Sequence, residues 1–387
     1  MDVMRGFALF GVLLMNMQAF ADVFSGYMNP YSLGEISTTE FALWSCNHVA
    51  ADTKFMTIFS MLFGAGVVLM TQRSKERTGK AALLHYRRMF WLAVFGIGHA
   101  MLLWIGDILF FYAVVGMVAF LLRRVWLWLL FLLAAICFAV PASLFLFLDQ
   151  MSAADMQELS MMWSPSADYI ESTRATYRGT WLGQVELRYR EWFGMLGFLA
   201  LFGWRILANM LVGMALFRMG VFAAERSDAA YKRMIWVGFV VGLPICAYGV
   251  YDHDLHGWEM VRSMGVGSLF NYFGGLVVAF GWIGAVMLAC RRDALPALRE
   301  RFAAVGQMAF TNYIMHSVLC TAIFNGHGLG RFGSVGRVWQ QLLVVAIFAA
   351  QLWYSPWWLR RFRFGPLEWV WRALSYWQLP VMRRARV

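Results

Sequence analysis

Charge is the scarcest commodity in this chain. Asp, Glu, Lys and Arg make up 14% of its 387 residues, against 61% hydrophobic. A chain this apolar does not divide into the two or three soluble domains that its length would otherwise give. Cysteine is sparse as well: Cys46, Cys137, Cys246, Cys290 and Cys320 are an odd set with no CxxC and no metal-ligand spacing. Four of them lie in apolar blocks, where a thiol behaves as a small hydrophobe. This argues against disulfides, thiolate catalysis and a bound metal. There is no Walker lysine loop, no HExxH and no GxSxG, and the glycine pairs fall inside apolar stretches as packing signals. No small-residue cleavage site follows the opening Asp2 and Arg5, so the first span is expected to stay as a signal anchor. Neither an internal repeat nor a low-complexity tract is present, which weighs against an inverted-repeat transporter.

What remains is a succession of apolar blocks of about 20 residues, long enough to cross a hydrocarbon core as helices. Ten spans are predicted, at about 4–23, 53–72, 88–105, 108–122, 125–148, 194–217, 234–252, 268–290, 302–325 and 336–358. Basic clusters follow every second block: Arg73/Lys75/Arg77/Lys80/Arg87/Arg88, Arg123/Arg124, Arg226/Lys232/Arg233, Arg291/Arg292/Arg299/Arg301 and Arg360/Arg361/Arg363. Positive loops stay in the cytoplasm, so both termini are expected inside. Of the 33 Lys and Arg, only Arg174, Arg178, Arg188, Arg190, Arg262, Arg331 and Arg337 then fall outside, and Lys54 and Arg205 lie within spans. The expected fold is an all-α, polytopic membrane bundle. Its parts are an N-terminal bundle (1–148), an extracytoplasmic amphipathic segment (149–193) and a C-terminal bundle with an interfacial tail (194–387). The net charge of +11 sits at helix ends on one side, which reads as topology and contact with membrane lipids, not nucleic acid.

Ionisable groups inside a bilayer are costly, so each is a candidate for function. Asp2, Arg5 and Asn16 share one stripe of the first span, with Asn16 roughly 16 Å above Arg5. They read either as an anchoring ion pair plus interhelical glue, or as a grip on a phosphate with Asn16 orienting a reacting group. In the third span His99, beside Gly96 and Gly98, is a candidate acid–base group that Asp107 would orient. In the ninth, Asn312 and His316 are spaced i, i+4 on one face, with Gln307 and Thr311 next to it. Arg205 needs a carboxylate, carbonyls or an anionic ligand. His48, with Asp52 and Lys54, is an exterior candidate if the outer segment folds down over the cavity. Each histidine also has a purely structural reading, as a packed side chain bonded to a neighbour.

The opening Met1-Asp2-Val3-Met4-Arg5-Gly6 through Asn16 resembles that of the YeiB-like bacterial inner-membrane proteins. So do Lys54-Phe55 with Leu62-Phe63-Gly64-Ala65-Gly66, and Gly98-His99 with Leu103-Trp104-Ile105-Gly106-Asp107. Gly306-Gln307-Met308-Ala309-Phe310-Thr311-Asn312-Tyr313 and Gly365-Pro366-Leu367-Glu368-Trp369 look like the domain of unknown function 418. More distantly, the Asp-x-x-Arg-Gly opening followed by an intramembrane Asn is similar to heparan-alpha-glucosaminide acetyltransferase and other transmembrane acyltransferases. That likeness implies acyl-CoA as a cytosolic donor, bound through Asp2, Arg5 and Asn16, and a histidine that assists transfer to a small-molecule or lipid-linked acceptor beyond the membrane. His48 holds that histidine's order before the second span, at a different spacing, and Asn16 stands near the first-span histidine of related sugar O-acyltransferases. The expected function is therefore acyl transfer, with His99 first among the candidate bases, then His316 and His48, and with Asn312, Gln307 and Arg205 lining a substrate cavity. A carrier or exporter of an amphipathic molecule would use the same polar cavity without covalent chemistry. A non-catalytic scaffold and a homo-oligomer stay open.

Overall fold

The structure is a computed structural model and describes residues 1–78 and 81–384, without the side chains of 73–78, 195 and 198. Four members of the first basic cluster, Arg73, Lys75, Arg77 and Lys80, lie outside those described side chains. The described residues are predominantly helical, with one isolated β-bridge among them, between Phe362 and Arg383. In order it forms α1 (Asp2–Ala21), α2 (Ser25–Met28), α3 (Thr38–Ala50), α4 (Lys54–Thr78), α5 (Ala81–Leu102), α6 (Leu109–Leu121), α7 (Leu127–Leu146), α8 (Ala153–Trp163) and α9 (Ala167–Arg178). Then follow α10 (Trp181–Arg218), α11 (Asp228–Trp236), α12 (Leu243–Leu255), α13 (Met260–Arg262), α14 (Ser268–Arg291), α15 (Pro296–Gln307), α16 (Ala309–Phe324), α17 (Arg337–Arg361) and α18 (Pro366–Tyr376).

Seven helical stretches among the described residues are long and apolar enough to cross a membrane: Asp2–Ala21, Thr38–Gln72, Leu127–Leu146, Leu199–Arg218, Asp228–Leu255, Met260–Arg291 and Arg337–Arg361. The three other expected spans coincide with α5 and with the shorter apolar helices α6 and α16. The bundle fits a membrane protein.

Lipid tails are as apolar as leucine, so helices in a bilayer associate through close packing more than through hydrophobicity. Two glycine crossings do this here. A Cβ on Gly6 of α1 would sit 2.0 Å from the Phe302 carbonyl oxygen, and one on Gly306 of α15 would sit 2.0 Å from that of Asp2. Gly64 and Gly213 play the same part for α4 and α10.

Two expected boundaries differ. The single span at 302–325 is broken at Gln307–Met308 into α15 and α16. The carboxylate of Glu368 on α18 caps the start of α16, accepting from the Phe310 and Thr311 amides at 2.7 and 3.1 Å and from the Thr311 hydroxyl at 2.5 Å. Burial pushes the Glu368 carboxyl above its ordinary value, against these donors. The helix that carries the expected span 194–217 also starts earlier, because α10 begins at Trp181, within the expected outer segment, and runs on unbroken to Arg218. Its first turn is capped by Thr180, whose side-chain oxygen accepts from the Gly183 amide.

Candidate functional site

The segment before α4 packs onto the bundle, where the Trp282 indole donates to the Ala50 carbonyl at 3.0 Å. Ser37 caps α3 by accepting from the Glu40 amide at 3.2 Å. On α3, one turn apart, Trp44 and His48 stack with ring centroids 4.7 Å apart. The Trp44 indole donates to the Tyr27 carbonyl at 3.0 Å, fixing α3 to α2. The chain then turns through Thr53, a non-glycine residue at φ +64°. That turn aims Asp52 inward and starts α4 at Lys54.

Asp52 is the hub. Its Oδ2 faces His48 Nδ1 at 3.3 Å and accepts from Asn271 Nδ2 at 2.7 Å, while Oδ1 accepts from the Tyr27 hydroxyl. Lys54, 0% exposed, donates to the His48 carbonyl at 2.7 Å and to Asn271 Oδ1. Arg205 of α10 lies over the Tyr272 ring at 4.4 Å and within electrostatic range of Asp52, Tyr27 and Cys246. One carboxylate thus serves two buried cations, a balance that is stable only with further polar partners. Four buried polar atoms of this region lack one among the described residues: His48 Nε2, Thr53 Oγ1, Arg205 Nε and Asn209 Oδ1. The sequence pointed to His48, Asp52, Lys54 and Arg205 separately. It gave no sign of Tyr27, Asn271 or Cys246, which ordinary apolar-helix composition conceals.

His99 sits in a different setting. Helix α5 ends at Leu102, and the chain doubles back so that Asp107 Oδ1 meets His99 Nδ1 at 2.8 Å. The other oxygen of Asp107 accepts from the Phe110 amide at 2.8 Å and caps α6. The far nitrogen of His99 meets the Ser317 hydroxyl of α16 at 2.7 Å. His99 is 3% exposed and Ser317 0%, so both ring nitrogens are engaged and covered. Gly96 is what lets this loop approach: a Cβ there would fall 2.4 Å from the Phe110 nitrogen, whereas Gly98 faces open space. Ser317 was not singled out from the sequence, since a lone serine in an apolar helix carries no signal.

The i, i+4 pair on α16 is not a pair in space. His316 Nε2 bonds Gln351 Oε1 of α17 at 3.0 Å, and Gln351 returns its amide N–H to the Asn312 carbonyl at 3.1 Å. The Asn312 side chain instead serves Ser355, the Val305 carbonyl and Tyr354. Gln307 is exposed at the end of α15, away from this network. Asp2 and Arg5 form a half-buried ion pair at 2.7 Å, and Arg5 also reaches the Gly306 carbonyl at 3.4 Å. Asn16 is partly buried and hydrogen-bonds to none of these centres. The candidate residues therefore fall into four hydrogen-bonded groups, around Asp52, around His99, around Gln351 and at the Asp2–Arg5 pair.

The class that this fold defines is a helical membrane-type protein with buried polar centres. Residues 216–378 match the family model for protein of unknown function DUF418. Similarity to known bacterial proteins extends beyond that region to the whole chain. It is 29% identical to the uncharacterized protein YeiB of Escherichia coli strain K12, over 97% of this chain and 95% of that one. The uncharacterized protein YxaH of Bacillus subtilis strain 168 is 28% identical, over 100% of this chain and 96% of its own. An uncharacterized 39.9 kDa protein of Bacillus acidopullulyticus is 25% identical over 97% and 93%. No solved structure matches the chain.

Proposed function

We propose that this chain is an acyltransferase of a bacterial inner membrane, moving an acyl group from cytosolic acyl-CoA to a hydroxyl or amine on an acceptor beyond the membrane. One observation carries the reading. His48 has one ring nitrogen held towards Asp52 and the other buried and unpartnered, next to two under-neutralised cations. A general base needs one nitrogen oriented by a carboxylate and the other without a standing partner, which His48 has. His99 lacks the open nitrogen, so it serves as a base only after Ser317 turns away.

In this mechanism His48 Nε2 takes the proton of the acceptor O–H or N–H as its heteroatom attacks the thioester carbonyl carbon. Asp52 keeps Nδ1 protonated and stabilises the imidazolium. Negative charge develops on the carbonyl oxygen, where the free Nε–H of Arg205 is the donor at hand. The C–S bond then breaks, the electron pair leaves with the CoA sulfur, and the proton passes from His48 to that thiolate. General base catalysis of this kind is worth about 10²–10⁴-fold, and a buried oxyanion donor about 10²–10³-fold. Arg5, at the arginine-rich end, is the residue for the donor's phosphates.

The test uses purified protein in nanodiscs, labelled acetyl-CoA and longer acyl-CoAs, and a membrane extract as acceptor source. Acyl transfer lost in His48→Ala but retained in His316→Ala supports the reading. Passage of an unmodified molecule with no CoA released replaces it with a carrier.

A further inference from the structure

A second feature lies on the outer side of the same α2–α3 segment. The end of α1, α2, the approach to α3, α9 and the start of α17 line a half-open cavity of about 260 Å³. Its charged lining is Asp22, Glu35, Glu40, Arg174 and Arg337. Both arginines are already committed. Arg174 grips Asp22 through two bonds, at 2.9 and 2.7 Å. Arg337 donates to Gln18 Oε1 at 2.5 Å and to the Gly26 carbonyl at 2.9 Å. The acceptors are not committed to the same degree. Glu40 takes only the Arg337 amide, at 3.2 Å. Glu35 is exposed and bonds to nothing among the described residues. Gln340 is 6% exposed, and its Oε1 has no partner although its amide donates to the Val335 carbonyl at 2.9 Å.

A buried acceptor without a donor is costly, and a ligand O–H or N–H removes that cost. Three carboxylates against two guanidiniums leave the lining with one excess negative charge, which repels phosphates and carboxylates. The volume lies below that of drug-sized sites, so the ligand is small, on the order of one sugar ring. We infer that this cavity binds a small molecule rich in hydroxyl or amino donors and free of anionic groups.

Its position gives that molecule a role. The cavity wall includes Gly26, and the next residue, Tyr27, hydrogen-bonds Asp52. Glu40 lies on α3, the helix that carries His48. The arginine distribution puts this face outside. On the acyl-transfer reading, and resting on it, the ligand is the acceptor held at the entrance to the His48 centre. Binding itself does not depend on that reading.

Calorimetry on the full chain in nanodiscs, with no acyl-CoA present, tests the inference using glucose, glucosamine and glucose 6-phosphate. Glucose or glucosamine binds, and the phosphate binds about tenfold more weakly or not at all. Glucosamine alone assigns an amino ligand, and both together a hydroxylated one. Gln340→Leu weakens binding about tenfold, by removing a charge-free acceptor for one ligand donor. Glu35→Gln weakens glucosamine by a similar factor with the melting temperature unchanged, since Glu35 supports no part of the fold. No binding by either sugar, a preference for the phosphate, or affinities untouched by both variants would overturn the inference. Sugar binding without acyl transfer from any acyl-CoA leaves this site standing and removes the proposed enzyme.

Discussion

His99 and Asp107 stand eight residues apart, about 12 Å along a continuous helix, yet their side chains meet at 2.8 Å. The contact exists because α5 stops at Leu102 and Gly96 leaves room for the returning loop. With Ser317 on the other nitrogen, the imidazole ties α5, the loop before α6, and α16 together.

That arrangement separates structure from catalysis. Asp107→Ala strips a buried imidazole of its carboxylate and α6 of its cap, and is expected to cost about 3–5 kcal/mol. Ser317→Ala leaves one buried ring nitrogen unpaired and costs about 1–3 kcal/mol. Melting curves of detergent-solubilised protein check both. If the trio is structural, the folded Ser317→Ala fraction keeps any acyl-transfer activity; total loss of turnover at normal stability would make Ser317 a reacting group.

Lys54→Met tests the charge balance at Asp52. The change leaves Asn271 Oδ1 and the His48 carbonyl without their donor. Breaking such a buried ionic network costs about 3–5 kcal/mol, so the melting temperature falls. Lys54→Met together with Asp52→Asn is expected to be less stable than Lys54→Met alone, because the buried Arg205 then keeps no carboxylate within range. A double variant as stable as the single one would mean that Asp52 does not balance Arg205.

Gly306→Ala probes the α1–α15 crossing. The added methyl would fall 2.0 Å from the Asp2 carbonyl oxygen, backbone that cannot turn aside. Overpacking of this kind costs about 1–3 kcal/mol and loosens the Arg5–Gly306 contact. Gly98→Ala, where nothing lies within 4 Å, serves as the control and leaves thermal stability within about 0.5 kcal/mol.

Reporter fusions test the orientation drawn from the arginines. A reporter joined at Asp168 is expected outside and one at Arg226 inside, read by alkaline phosphatase and green fluorescence respectively. Both reporters active on one side would end the alternation on which the outer placement of α3 rests.

The all-helical class and most helix positions were legible in the sequence because they are set locally. An apolar block of sufficient length must close its own backbone hydrogen bonds in lipid, and Ser37 or Thr180 starts a helix through contacts within one turn. The separate candidates Asp2, Arg5, His48 and His99 were legible too, since a polar group in an apolar block stands out by composition. Which of them meet was decided only in three dimensions. Lys54 finds Asn271, His99 finds Ser317 and His316 finds Gln351 through helix packing, and no local pattern records that rotation. The break at Met308 likewise depends on Glu368, 58 residues from the Phe310 amide it receives. Tertiary structure decided these points for one physical reason: a buried polar atom takes whichever partner the packed helices place within hydrogen-bond reach, at any distance along the chain.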